Sequence, residues 1–339
     1  MNTTPAASTR YNAESRSDPA TAGIRRVVVS TALGDVVAHV NPNDAALSDT
    51  ATLLLHGAAG SWTTWLPLIR ASQEAGSPLQ NVVALDRPGW GESGSISADA
   101  TVEDLADAVA HAARTLGYAR WNIFGHSLGG HLGLTIAARH PERTASVTAI
   151  SATGPGALSV LRHPIRNFAA LPALAGMLGA MRFLSKLGAG GTALIRALHR
   201  LRLLGPLSDP LFTHRRSLDS SVIDSLAAEI RPTSFARGAA AAARYDETQW
   251  ASIQCPVTLV RGDHDVFVSS SDDAWFQSVI PHAWQRVSPN AGHFAHIESL
   301  QTASAPAINA TDAAMLAASR HPIRLRRGRR YSVTARQAE

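Results

Sequence analysis

The sequence predicts an α/β protein: a mostly parallel, twisted sheet covered by helices on both faces, with a helical lid inserted after the sixth strand. Three observations carry this. Short apolar runs without polar alternation recur along the chain ("TLLLHG", "NVVALD", "WNIF", "ASVTAIS", "VTLVRGD"), the pattern of strands buried on both faces. Stretches with helical periodicity separate them, as crossovers between parallel strands require. From residue 154 to 246 the alternation stops, and alanine- and leucine-rich segments broken by Pro164, Pro172, Pro206, Pro210 and Pro232 follow one another without a strand.

Taken in order, "RRVVVS" and "DVVAHV" flank "TALG" and predict a hairpin. "TLLLHG" and "NVVALD" are the next strands, ending at Gly57 and Asp86. Thr101 with Asp104 forms an N-cap pair for a helix whose buried face runs through Val102, Leu105, Val109, Ala112 and Leu116, stopping at Gly117. "WNIF" is a strand, Ser127 to Arg139 a helix closed by Pro141, and "ASVTAIS" the strand before the insertion. The order resumes at "VTLVRGD", then a helical stretch with Trp275 and Phe276, then "WQRVSPNAGH" as a last strand and loop. The expected organisation is a tail over 1–23, one α/β core over 24–153 and 247–304, a lid over 154–246, and a C-terminal extension over 305–339.

A chain of 339 residues, 45% hydrophobic, can bury a large core. The first 23 residues lack the apolar stretch of a secretory signal, and the single cysteine, Cys255, forms no intrachain disulfide, so a cytoplasmic location is expected. The longest apolar run, Phe168 to Met181, contains Pro172 and falls short of the roughly 20 residues that cross a bilayer. The net charge of +5 is not spread along the chain. The final twenty residues hold seven arginines and one glutamate, which leaves the remainder at −1. The basicity belongs to a tail read as a solvated extension, with binding of polyanions or anionic lipid as its alternative, and apart from that tail no nucleic-acid partner is expected.

The stretch "NIFGHSLGGHLG" places Ser127 between Gly125 and Gly129 at a strand-to-helix junction. Such a turn has no room for a Cβ on either side, and it lifts a hydroxyl above the carboxyl edge of the sheet, where open parallel sheets bind ligands. A serine hydroxyl is a weak nucleophile near neutral pH, so catalysis needs a base and a carboxylate to orient it.

Through "LLLHGAAG", "DRPGWGES", "GHSLGG", "RGDHDVFV" and "NAGHFAHIE", in that order, the chain resembles the α/β-hydrolase fold family over roughly residues 24 to 300. The resemblance implies Ser127 as nucleophile, Asp265 as acid and His293 as base. Asp263 is a rival acid two residues away, and the family's G-x-x-D turn, beginning here at Gly262, favours Asp265. His296 rivals His293, and His126 and His131 flank the serine. The oxyanion that forms on attack would meet the backbone N–H of Leu128, directly after the nucleophile, and of Ala58, which the resemblance supplies. No Cys/His cluster or H-E-x-x-H motif is present, and neither cofactor nor metal is expected.

A serine at the elbow sets the chain apart from the epoxide hydrolases and haloalkane dehalogenases of this family, which use an aspartate. The expected reaction is hydrolysis of a small-molecule carboxylic ester through an acyl-enzyme, like that of a serine carboxylesterase. Alternatives are hydrolysis of a carbon–carbon bond in ring-fission diketones, cofactor-free perhydrolysis, and a ligand-binding member without activity. The carbon–carbon hydrolases usually carry tryptophan after the histidine, where this chain has Phe294. Phe168, Leu171, Met177, Met181, Phe183 and Phe212 make the lid apolar and predict a hydrophobic acyl or alkyl group. Its arginines at 162, 166, 182, 196, 200 and 202 raise a half-ester, such as a monoalkyl phthalate, as a substrate class if one points inward.

Overall fold

The computed structural model describes residues 23–41, 48–74, 78–218 and 220–301. The tail read over 1–23, apart from Gly23, and the extension over 305–339 with its arginines lie outside the described residues. Strands β1 (Arg25–Thr31) and β2 (Gly34–Asn41) form the hairpin, closing at Thr31 opposite Gly34. Strands β3 (Thr50–Leu55), β4 (Val82–Asp86), β5 (Arg120–His126), β6 (Thr144–Ile150), β7 (Val257–Gly262) and β8 (Trp284–Ser288) complete an eight-stranded sheet in the order β1-β2-β4-β3-β5-β6-β7-β8. From β4 to β8 all neighbours are parallel, and β2 runs antiparallel to both β1 and β4.

Side chains alternate across the sheet and build a core on each face. Along β3, Leu53 and Leu55 join the cluster under helices α2 (Val102–Thr115) and α3 (Leu128–Arg139), while Leu54 joins the one under α1 (Leu66–Glu74) and α11 (Ala295–Gln301). Ile123 and Phe124 of β5 divide the same way, which is why these strands carry no polar alternation. The Thr101–Asp104 capping box is present on α2, each side chain bonding the other's backbone N–H. Helix α1, the 3-10 turn Trp62–Trp65 before it and α11 are not anticipated by the sequence reading.

Between β6 and β7 the chain is helical: α4 (Pro155–Arg162), α5 (Pro172–Lys186), α6 (Ala189–Arg200), α7 (Leu204–Leu207), α8 (Ser220–Glu229) and α9 (Pro232–Arg244). Prolines at the first turn of α4, α5 and α9 open these helices rather than interrupt them, since the first turn has no use for the missing N–H. Two polar clamps tie the insertion down. Arg162 donates to the carbonyls of Ala243 and Tyr245 and pairs with Glu247. Asp272, on α10 (Ser271–Val279) and 2% exposed, accepts the Gly156 N–H at the start of α4 at 2.9 Å. Burial pushes the Asp272 carboxyl up to about 6.

Candidate active site

The turn from β5 into α3 holds Ser127 at φ +52° and ψ −118°, a left-handed conformation that a residue with a Cβ adopts only under constraint. The constraint is packing. A Cβ on Gly125 would strike the Gly129 carbonyl, and one on Gly129 would strike the Leu55 carbonyl. The backbone of Ser127 is bonded on both sides, its N–H donating to Ile150 at 2.9 Å and its carbonyl accepting from Gly130, His131 and Thr153. The hydroxyl is therefore presented at the top of the sheet by a rigid seat.

His293 follows β8 and lies 166 residues further along the chain, yet its Nε2 is 3.0 Å from the Ser127 Oγ. Its Nδ1 is 3.0 and 3.1 Å from the two carboxylate oxygens of Asp265. With Nδ1–H donating to the carboxylate, Nε2 is left to accept the serine proton. Asp265 sits in the turn after β7, its Oδ1 accepting the Phe267 N–H at 2.8 Å. Burial raises the pKa of this carboxyl, but the facing imidazole and the N–H donor outweigh it and hold the group below the usual carboxylate range. A hydroxyl, an imidazole and an ionised carboxylate in line can carry a proton off the hydroxyl and leave the resulting positive charge compensated.

The rival side chains stand elsewhere. Asp263 accepts from His264 and from the Ala291 N–H, bracing the loop that carries His293. His296 is 1% exposed and packs between Trp65, with ring centroids 4.9 Å apart, and His126 at 4.4 Å; burial pulls its pKa to about 3. His126 points behind the elbow, where its Nε2–H donates to the His293 carbonyl at 3.0 Å and burial keeps it neutral. His131 donates to the Thr153 carbonyl at 3.1 Å, and burial lowers it to about 4. His56 accepts the Arg87 N–H and donates to the Gly57 carbonyl; burial first, and the Arg87 charge second, lower it to about 3.

Glu298 is a part of the site that sequence reasoning missed. At 4% exposure, it accepts N–H groups from Gly292 at 2.6 Å, Thr213 at 2.8 Å and His214 at 2.9 Å, joining the His293 loop to the insertion. A second tie runs from the His293 N–H to the Leu211 carbonyl at 2.9 Å.

Ser127 and His293 open on a cavity of about 970 Å³, mouth included, between the sheet edge and the insertion. Ala58 and Leu128 line it beside the serine. Leu128 is the first residue of α3, so its N–H has no carbonyl one turn behind it. Met177 and Met181 line the cavity, four residues apart on the inner face of α5. Phe168 and Phe183 face outward at 53% and 61% exposure, and Phe212 stacks on Phe294 at 5.0 Å. None of the six lid arginines named from the sequence lines the cavity. Arg231, at the N-cap of α9, does. Its Nη2 donates to the Gly91 carbonyl at 2.5 Å and lies 3.7 Å from Glu229. The only sequence signal for it is an arginine directly before the proline that opens a helix of the insertion.

Among the described residues, one group of side chains has metal-ligating atoms within 4.8 Å of one another, His39, Asp86 and Glu92. Asp86 there already accepts N–H groups from Trp62 and Glu92, and Arg26 bonds the Glu92 carboxylate at 2.6 Å. No helix among the described residues is long and apolar enough to cross a membrane.

The profile of the alpha/beta hydrolase fold matches residues 51–300, and the chain belongs to that family. It is similar to a 2-hydroxy-6-oxononadienedioate/2-hydroxy-6-oxononatrienedioate hydrolase of Burkholderia vietnamiensis, 31% identical over 136 residues, a match covering 40% of this chain and 47% of that enzyme. The chain thus spans about half the length of that relative. A second hydrolase of the same description, from Pseudomonas putida, is 25% identical over 269 residues, 78% of this chain and 88% of the enzyme. Among solved structures, the epoxide hydrolase CorEH superposes with a TM-score of 0.62 at 21% identity, covering 83% of this chain and 95% of that one, a likeness of fold.

Proposed function

We propose that the protein hydrolyses carboxylic esters of a hydrophobic small molecule through an acyl-enzyme on Ser127. The hydrogen-bonded line from Ser127 through His293 to Asp265 carries this reading. His293 takes the hydroxyl proton as Ser127 attacks the carbonyl, then returns it to the departing alcohol. Water, deprotonated by the same imidazole, releases the acid. Asp265 orients the ring and balances the imidazolium. The N–H groups of Ala58 and Leu128 receive the oxyanion, a contribution of roughly 3–4 kcal/mol for each donor.

The cavity lining argues for an ester with at most one carboxylate. Apart from Ser127, Ser151, Thr153, Ser208, Arg231 and His293 it is apolar, and Arg231 is its one permanent charge. A carboxylate on the substrate would take the guanidinium's free donors, which makes half-esters the preferred class. The second reading, cleavage of a carbon–carbon bond, is favoured by the activity for which the two relatives are named. A dienedioate carries two carboxylates, however, and this cavity faces it with a single arginine.

Turnover of p-nitrophenyl esters of graded length, of phthalate-type half-esters and of a ring-fission dienedioate tests both readings. Ester hydrolysis is expected, falling by a factor of about 10³ or more in Ser127→Ala. Arg231→Gln is expected to raise KM about tenfold or more for half-esters and to leave neutral esters unchanged. Faster turnover of the dienedioate than of any ester would replace the first reading with the second. An unreactive wild type, unlabelled by a fluorophosphonate, would remove both.

A further inference from the structure

Among the described residues, eight of the eleven exposed large hydrophobic side chains fall between Ile165 and Leu207. Ile165 is 93% exposed, Leu201 69%, Leu207 64% and Phe183 61%, far more than scattered surface leucines need explaining. On α5 and at its C-cap, the exposed Gly176, Gly179, Phe183 and Leu187 recur every three or four residues and so share one outward stripe. Leu174, Leu178 and Met181 turn the other way. Beside this stripe, Ile165, Phe168, Ala175, Gly179 and Arg182 line an open groove.

Charge on the same stretch has one sign. Residues 155–208 contain six arginines and one lysine but no aspartate or glutamate. Arg162 is held by Glu247, and the other six cations are exposed. Among the described residues, the next acids along the chain are occupied, Asp209 with Arg215 and Asp224 with His199. Projecting apolar side chains set among unopposed cations match a surface with anions outside and hydrocarbon beneath. The charge complementarity selects an anionic lipid over a neutral one. The inner stripe of α5 lines the cavity over Ser127, so a single helix lies between that surface and the site.

We propose that the outer face of the insertion docks on anionic phospholipid bilayers, with Phe183, Leu187 and their neighbours entering the acyl boundary and the arginines resting on headgroups. This binding is independent of what Ser127 hydrolyses. The test is co-sedimentation of the full chain with vesicles of phosphatidylcholine alone or mixed equally with phosphatidylglycerol.

Wild type is expected to pellet with the mixed vesicles, weakly with the neutral ones, and to be released by salt. Phe183→Ser with Leu187→Ser, and separately Arg196→Glu with Arg200→Glu, should each lower partitioning about tenfold or more while thermal unfolding stays unchanged. Alanine at Arg326, Arg327, Arg329 and Arg330 should leave most of the binding in place. Three results would overturn the proposal: no pelleting of wild type, pelleting of both insertion variants at the wild-type level, or loss of binding in the tail variant alone. A lipid-free dimer that the insertion variants dissociate, without vesicle binding, would instead mark this face as a contact between two copies.

Discussion

Behind Ser127 the core packs His56, His126, His131 and His296 at 1% exposure or less, while the outer face of the insertion stands six cations in water around uncovered leucines and phenylalanines. The two regions use their side chains for different ends. In the core a neutral imidazole is a flat aromatic body with one directed N–H, as when His126 holds the His293 carbonyl, and its value lasts only while it stays uncharged. On the insertion's outer face the six exposed cations are held by no ion pair among the described residues, so substitutions there should touch binding before they touch folding.

Acid should separate the regions most strongly. His56, His131 and His296 have folded-state pKa values of about 3, 4 and 3 against an unfolded 6.5, so the native state binds fewer protons than the unfolded chain. Their contribution is complete above about pH 6.5 and is lost as the pH falls towards 4, amounting to several kcal/mol for the group. Urea unfolding across that window should show the decline; a flat profile would mean that these rings are not held neutral.

Asp272 carries the opposite sign. Its folded pKa of about 6 exceeds the unfolded 3.8, so the buried carboxylate costs stability above pH 6, and the cost vanishes as the pH drops below 4. Asp272→Asn keeps an acceptor for the Gly156 N–H. It should raise stability at pH 8 by about 2–3 kcal/mol, with the gain fading in acid. A gain independent of pH would point to packing instead.

Paired truncations set the two regions side by side and include the smallest effect expected. Trp65→Ala, at a residue fully buried against His296, should cost about 3–5 kcal/mol, whereas Phe183→Ser should stay within about 0.5 kcal/mol. Comparable losses in thermal denaturation would show that the insertion's surface is covered in solution.

Much of this was legible in the chain because the signals were local. The capping box at Thr101, the doublet of glycines around Ser127 and the G-x-x-D turn at Gly262 each state a backbone requirement within a few residues. Contacts across the chain were harder to read. The placing of β2 between β1 and β4 depends on pairing partners more than forty residues apart, and Glu298 acquires its meaning only when residues 213, 214 and 292 converge on it. Helix α5 is apolar nearly all round, so its composition gave no means of telling Met177, which lines the cavity, from Phe183, which faces water. Arg231 was hidden because one cation among many has no period to mark it.

The junction at Glu298 limits how the roof over the site can lift. Parting residues 211–214 from the histidine loop would break three hydrogen bonds at once, and it would pull directly on the backbone of residue 293. A substrate that entered by parting these two segments would disassemble the machinery it needs. Cross-linking residues 211–214 to the histidine loop should therefore cost no activity.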